Sequence, residues 1–235
     1  MKTVLVTRPE PGATRTAERL TTLGFRPLVL PLTVIRSLPV AIPDRQYDAV
    51  AITSANALRH APQVSLRPFL HLPCFAVGEA TAELARRAGF EHVYTGNGDG
   101  ALLAGAINDS IMPGAGLLYL TGRIRSPLFE EISGRTGRIV TPVAVYDTLP
   151  EIYDTDYLTG LFNTLPVDAC LLYSVGGAEA FIGTIGKTSI HHLLESAEIL
   201  CLSAGIAAVV SGQGFGRVRT AIVPRETALL EMLRG

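Results

Sequence analysis

Short apolar runs alternate with helix-like stretches along the whole chain, and this alternation restricts the fold more than any other feature. Val4 to Thr7 reads as a strand. A helix follows from about Ala13 to Leu23, where Ala17, Leu20 and Leu23 have near-helical spacing and Gly24 acts as the stop. Further strands read at Pro27 to Pro31, Ala49 to Thr53, Cys74 to Val77, His92 to Thr95 and Leu117 to Thr121. The set is completed by Ile139 to Val145, Ala169 to Tyr173, Ile199 to Ser203 and Val218 to Val223. Ser54 stands in N-cap position for a helix beginning at Ala55, and a helix after Gly78 runs to Arg87 and stops at Gly89. The strands are continuous apolar runs, as strands covered on both faces must be. Strand and helix in alternation, with strands of that kind, predict α/β architecture with parallel sheets.

The chain also repeats itself at a period of roughly 120 residues. Val4-Leu-Val-Thr resembles Leu118-Tyr-Leu-Thr, and Asp48-Ala-Val-Ala-Ile-Thr-Ser resembles Asp168-Ala-Cys-Leu-Leu-Tyr-Ser. Gly89-Phe-Glu-His-Val-Tyr-Thr resembles Gly214-Phe-Gly-Arg-Val-Arg-Thr, and Ala101-Leu-Leu resembles Ala228-Leu-Leu. The spacing drifts slowly and in order, as small loop insertions make it do. Four matches in register predict two similar doubly wound domains.

Composition narrows the function classes. With 48% hydrophobic and 17% charged residues, the 235-residue chain has ample material for a core and too little charge for disorder. Its 20 basic and 21 acidic residues give a net charge of -1, against a general nucleic-acid binder. No apolar run reaches the length of a membrane span, and the N-terminus is too short and polar for a signal peptide, so a cytoplasmic protein is expected, free of membrane. Cys74, Cys170 and Cys201 are widely spaced inside apolar runs and read as buried thiols; His191 and His192 are adjacent, a poor metal pair, so no metal is expected.

Ligands of open parallel sheets gather at the carboxyl ends of the strands. The residues expected there are Thr7 and Arg8, then Thr53, Ser54, Ala55 and Asn56, then Gly78, Thr81 and Ala82. In the second copy they are Thr121, Gly122, Arg123 and Ser174, with Ser203 to Gly205 beyond. Each turn of small or hydroxyl residues opens a helix, leaving backbone N–H groups at the positive end of the helix dipole. Several such ends suit a small molecule with many negative groups. Capping alone explains any single Ser or Thr, Arg8 has the alternative of an ion pair, and Arg123 that of a solvated loop charge. Neither Gly96-x-Gly98-x-Gly100 nor Gly212-x-Gly214-x-Gly216 has dinucleotide-loop spacing and context; no P-loop and no G-x-S-x-G occurs. The residues alone describe a two-domain binder of a polyanion, without obvious nucleophile, metal or cofactor.

Val-Leu-Val-Thr-Arg-Pro near the start, Pro31, Thr-Ser-Ala-Asn-Ala-Leu at 53–58 and Val-Gly-Glu-Ala-Thr-Ala at 77–82 closely resemble uroporphyrinogen-III synthases. So do Leu-Thr-Gly-Arg at 120–123, Val-Tyr-Asp-Thr at 145–148 and Tyr-Ser-Val-Gly-Gly at 173–177. The resemblance implies two similar doubly wound parallel-sheet domains joined by a two-strand linker that sets their clefts face to face. Carried onto this sequence, one domain comprises residues 1–35 and 149–235, the other residues 36–148. The repeats alone also allow a plain tandem split near Ala115. The implied reaction is cyclisation of hydroxymethylbilane, an eight-carboxylate linear tetrapyrrole, to uroporphyrinogen III, with loss of water, inversion of the last pyrrole ring and no cofactor. Tyr146, matching the tyrosine of the family's Val-Tyr-x-Thr segment, becomes the candidate general acid, and Thr81 a carboxylate ligand through its N–H and hydroxyl. Isoleucine stands at 206 where the second Gly-x-x-Thr-Ala turn carries threonine. The resemblance admits transient contact with neighbouring pathway enzymes. The other readings are a non-enzymatic sensor of an anionic metabolite and a nucleotide-sugar transferase using Asp154-Thr-Asp156.

Overall fold

The computed structural model describes residues 1–96, 98, 100–163, 166–186 and 188–234. The chain begins with β1 (Thr3–Val6), α1 (Gly12–Thr22), β2 (Arg26–Val29) and β3 (Thr33–Ser37). Its middle holds β4 (Ala49–Ile52), α2 (Ala55–His60), α3 (Gln63–Leu66), β5 (Cys74–Ala76), α4 (Glu79–Arg87) and β6 (Val93–Thr95). There follow α5 (Gly100–Ser110), β7 (Gly116–Gly122), α6 (Leu128–Arg135) and β8 (Ile139–Pro150). The last third supplies α7 (Thr155–Phe162), β9 (Ala169–Leu172), α8 (Val175–Ile185), β10 (Glu198–Cys201), α9 (Ala204–Val210), β11 (Val218–Thr220) and α10 (Glu226–Glu231).

These elements form two compact units, Met1–Ile35 with Leu149–Gly235 and Arg36–Thr148, here called unit 1 and unit 2. Unit 1 holds a five-stranded sheet ordered β11-β10-β9-β1-β2, parallel throughout. Unit 2 holds a six-stranded sheet ordered β3-β8-β7-β4-β5-β6, with every pair from β8 to β6 parallel. Both are covered on two faces. Val4 and Val6 of β1 enter one apolar cluster while Leu5 enters another. Val50 and Ile52 of β4 likewise face away from Ala49 and Ala51. Each fully buried Leu or Ile contributes about 1.5–3 kcal/mol of apolar burial. Two buried faces are why these strands are unbroken apolar runs. The chain passes between units within β3 and within β8, and the two lie side by side in the sheet. Leu38 N–H donates to the Val145 carbonyl at 3.0 Å, and Glu151 N–H to that of Leu32 at 2.9 Å.

The repeats cut across the two units, as the division implied by the resemblance requires. β1 matches β7, β4 matches β9, β6 matches β11 and α5 matches α10, yet each unit mixes the two copies. Unit 1 joins β1 and β2 of the first copy to β9, β10 and β11 of the second. Unit 2 joins β4, β5 and β6 of the first copy to β7 and β8 of the second. A division near Ala115 would cut unit 2 between its two central strands. The repeated aspartate explains itself here. The Asp48 carboxylate accepts from Gly116 N–H at 2.8 Å, and the Asp48 N–H donates to the Gly116 carbonyl at 2.8 Å. Asp168 does the same with Thr3, at 2.6 and 2.9 Å. Each aspartate fixes the first rung between strands of different copies.

The sequence-based boundaries differ mainly at β8, which extends to Pro150 rather than stopping at Val145 because its outer half pairs with β3. All three cysteines are buried, and burial pushes the Cys74 thiol up to about 12 and Cys201 up to about 11. Such thiols stay protonated and unreactive at neutral pH.

Backbone approach is tight before β11. A Cβ at Gly216 would lie 2.3 Å from the Ala197 carbonyl oxygen and 3.0 Å from that of Glu195. Gly216→Ala is expected to lower stability by about 1–3 kcal/mol through backbone displacement. The check is a lower denaturant midpoint at unchanged m-value.

Candidate functional site

In a doubly wound sheet a crevice opens where neighbouring strands send their connections in opposite directions. In unit 2 that point lies between β4, which leads to β5, and β7, which leads to β8. A pocket of about 330 Å³ lies there. Thr53 and Ser54 line it from the end of β4, and Val77 from the end of β5. Gly98 and Gly100 line it at the start of α5, Tyr119 and Thr121 on β7, and Tyr146 on β8. The loop after β7 adds Ile124, Arg125 and Ser126, and α6 adds Leu128 and Phe129.

The wall combines hydroxyls with apolar surface. Thr53 Oγ1 and the Tyr119 hydroxyl are 2.7 Å apart and satisfy each other. Ser54 caps α2, its Oγ accepting from Asn56 N–H at 3.2 Å. The Tyr146 hydroxyl has no hydrogen-bond partner among the described residues. Its ring lies against Gly122, where a Cβ would come within 2.7 Å of Tyr146 Cζ. His60 flanks the same ring with centroids 6.0 Å apart, and its Nδ1 is 2.9 Å from Ser37 Oγ. Burial, with help from the Arg59 charge, lowers the His60 imidazole below its usual range and keeps it neutral at pH 7. Arg125 is the charged side chain among these lining residues. Glu130 on α6 accepts from its Nε at 2.6 Å and from its Nη2 at 3.2 Å, a fork that fixes the guanidinium plane and keeps it protonated.

At the corresponding point of unit 1, between β1 and β9, side chains converge on one carboxylate. Glu226, at the start of α10, accepts from Arg8 at 3.0 Å and from the Tyr173 hydroxyl at 3.0 Å, and also from Thr16 Oγ1 and Arg19 Nη1. The Arg8 guanidinium lies 4.3 Å from the Tyr173 ring centroid. Burial alone would raise the Glu226 carboxyl, but Thr16, Arg8, Tyr173 and Arg19 together outweigh it and hold it below the ordinary carboxylate range.

The residues expected from the sequence therefore divide. Thr53, Ser54, Thr121 and Tyr146 line the unit 2 pocket. Gly122 packs on Tyr146, making room for its ring. Ala55 and Asn56 begin α2, where Asn56 Oδ1 accepts from Arg59 at 2.8 Å. Gly78 precedes α4, and its carbonyl accepts from both Thr81 and Ala82 N–H at 3.0 Å. Thr81 and Ala82 are buried, so their amides are spent inside the turn; the amides of Glu79 and Ala80 are the ones without an acceptor in their own helix. Ile206, at the matching place in unit 1, is buried too, so this is a core position in both copies. Arg123 is exposed and pairs with the buried Asp147 at 2.9 Å. In unit 1, Thr7 is buried and donates to the Leu171 carbonyl at 2.8 Å, Arg8 is committed to Glu226, and Ser174 caps α8 through Gly177 N–H at 3.1 Å. The set expected from the sequence omits Tyr119 and Arg125, which also line the pocket. Tyr119 sits inside an apolar strand with no signal but its hydroxyl; Arg125 lies two residues past the Leu-Thr-Gly-Arg segment, and only the loop's path brings it inward.

The model of the uroporphyrinogen-III synthase HemD family matches residues 14–231. The chain belongs to the uroporphyrinogen-III synthase family. It is 26% identical over 218 residues to the uroporphyrinogen-III synthase of Chlorobaculum parvum, covering 87% of this chain and 88% of that protein. The fold is similar to that of the synthase from Helicobacter pylori, with a TM-score of 0.70 at 16% identity over 100% of this chain and 99% of that one. It is also similar to a mutant synthase of Thermus thermophilus, with a TM-score of 0.56 at 18% identity over 100% of this chain and 98% of that one. As a uroporphyrinogen-III synthase the chain is an enzyme of haem biosynthesis, a cyclising lyase, and the sensor reading gives way. The transferase reading loses its motif as well: Asp154 is the N-cap of α7, accepting from Tyr157 N–H at 2.7 Å. Among the described residues no cluster of His, Cys, Asp or Glu is placed to hold a metal ion, and no helix is long and apolar enough to cross a membrane.

The Glu226 site carries a pH dependence. Its carboxyl titrates lower in the folded than in the unfolded chain, so folding favours the ionised form. The stability it adds is fully present above the unfolded value of about 4.3 and is lost as pH falls through the lower folded value. Denaturant titrations from pH 7 to pH 3 are expected to show an acid loss of stability that is smaller in Glu226→Gln.

Proposed function

We propose that the unit 2 crevice holds the reacting end of hydroxymethylbilane and that Tyr146 assists departure of its terminal hydroxyl. The reading rests on one observation: within a pocket at the switch point, the Tyr146 hydroxyl has no partner among the described residues to give up. In this reading the Tyr146 O–H passes its proton to the leaving hydroxyl, which departs as water; the pyrrole N–H of the resulting cation gives up a proton that restores the phenol, leaving an electrophilic azafulvene. The far pyrrole ring attacks through its substituted carbon to give a spiro intermediate; fragmentation, turning of the ring and reclosure yield uroporphyrinogen III. Electron-rich pyrroles supply the push, so a weak acid suffices at the leaving group.

The enzyme's larger task is to select one curled conformer, because the free bilane closes without inversion. Hydroxyls and helix-start amides at the ends of β4, β5 and β7 take up carboxylate arms, with Arg125 the fixed positive charge among them. Ile124, Leu128 and Phe129 offer an apolar face to a pyrrole ring. Thr53, Ser54 and Thr121 belong to this binding surface, whereas Thr81, Ala82 and Gly122 shape it. The two units act as the domains of the enzyme, 1–35 with 149–235 and 36–148. The reaction is placed in the cytoplasm, where transient contact with the enzyme supplying the bilane shortens that unstable substrate's path.

Tyr146→Phe is expected to slow formation of the type III isomer by roughly ten-fold or more while leaving the fold intact. Bilane made by the upstream deaminase, followed by oxidation and separation of type I and type III uroporphyrins, measures this; unchanged turnover removes Tyr146 from the chemistry. Gly122→Ala is expected to lower the rate as well, because the new methyl displaces the Tyr146 ring. Near-ultraviolet circular dichroism of the variant reports that displacement separately.

A further inference from the structure

The two copies of the repeat build two crevices of the same descent, and they are not used alike. Thr7 and Arg8 match Thr121 and Gly122, and Tyr173-Ser174 matches Thr53-Ser54. In unit 2 the place matching Arg8 is a glycine, and the Tyr146 ring occupies the room it leaves. In unit 1 Arg8 folds back over α1, its Nε 2.5 Å from where a Cβ of Gly12 would stand. Arg8 and Arg19, with the hydroxyls of Thr16 and Tyr173, then converge on the Glu226 carboxylate. Two guanidinium groups and two hydroxyls meeting at one point, at the carboxyl ends of β1 and β9, form the donor set that recognises a carboxylate ligand. The ligand here is part of the chain, and its side chain is only 18% exposed.

We infer that unit 1 retains a carboxylate-binding seat and that Glu226 occupies it in cis, so the crevice of unit 1 takes no carboxylate arm of the substrate. The occupied seat answers the sequence-based expectation for Arg8: its charge is neutralised within the fold. The same feature gives Glu226 a defined role, which is to close the second crevice against small carboxylates.

Chemical rescue tests the seat. Glu226→Ala removes the carboxylate and leaves the donors, so the variant is expected to melt on the order of 5 °C below the parent enzyme. Sodium acetate, the smallest carboxylate that restores the missing Cγ, Cδ and carboxylate oxygens, is expected to raise its melting temperature saturably, recovering at least half of the loss. Sodium chloride at equal ionic strength is expected not to do so, nor acetate with Arg8→Ala/Glu226→Ala. The parent enzyme, with its seat filled, is expected to respond to acetate no more than to chloride. Absence of rescue in Glu226→Ala, or an equal response of the parent, overturns the inference. Should Glu226→Ala fail to fold, Glu226→Gln carries the test through its KM for the bilane. An unchanged KM supports a closed crevice, and a KM altered more than three-fold in either direction counts against it. Failure of the catalytic reading would look different: the parent enzyme would yield no type III isomer, whatever acetate does to the variants.

Discussion

The architecture depends on strand pairing between copies of an internal repeat. β4 meets β7, and β9 meets β1, at the centre of each sheet, and in both places an aspartate one residue before the strand brackets the first N–H of its neighbour. A carboxylate that accepts from one backbone amide, beside a backbone bond in the other direction, admits a single register. In a parallel sheet a slip of one residue would turn every apolar side chain to the opposite face. The switch-point crevices follow from this pairing, since each opens between the two strands so joined. The repeated Asp-Ala segment is thus the fastener of the fold.

The repeat places a switch point in each sheet, and small differences in the residues set the two apart. Glycine at 122 lets a tyrosine ring from β8 lie at the pocket wall; arginine at 8 instead reaches over the start of α1 and finds an internal carboxylate. The open crevice is hydroxyl-rich with one braced guanidinium, which suits a substrate whose charge is spread over many arms. A strongly basic groove would hold such a substrate in many orientations. In the proposed reading, hydrogen-bond donors fixed to strand ends discriminate among conformers of the bilane, which separates the type III from the type I outcome.

Most of the fold was legible because its strands are buried on both faces and its turns carry strong punctuation. Gly24 and Gly89 end helices with positive φ as expected, and Ser54 and Ser174 cap the helices they precede. Local pattern did not show the outer half of β8, because its pairing with β3 is non-local; the two-strand linker implied by the resemblance did. At the site, position at a strand end was readable and orientation was not. Thr7, Thr81 and Thr121 all lie at strand or helix ends and are all buried, yet only Thr121 borders the pocket. A threonine looks the same in sequence whether it faces a ligand or a neighbouring carbonyl. The resemblance to the uroporphyrinogen-III synthases supplied the reaction, which residue types alone left at the level of a polyanion binder.

Unit 2 is continuous in the chain, whereas unit 1 is assembled from its two ends. This sets an order on biogenesis. During synthesis β4 to β8 emerge together and can close their sheet at once. β1, with its unbroken row of apolar side chains, must wait for β9 to be made before its second edge is paired. Residues 1–35 are therefore the segment of the nascent protein with the longest exposure of sticky surface, and the one on which a ribosome-associated chaperone has most reason to act.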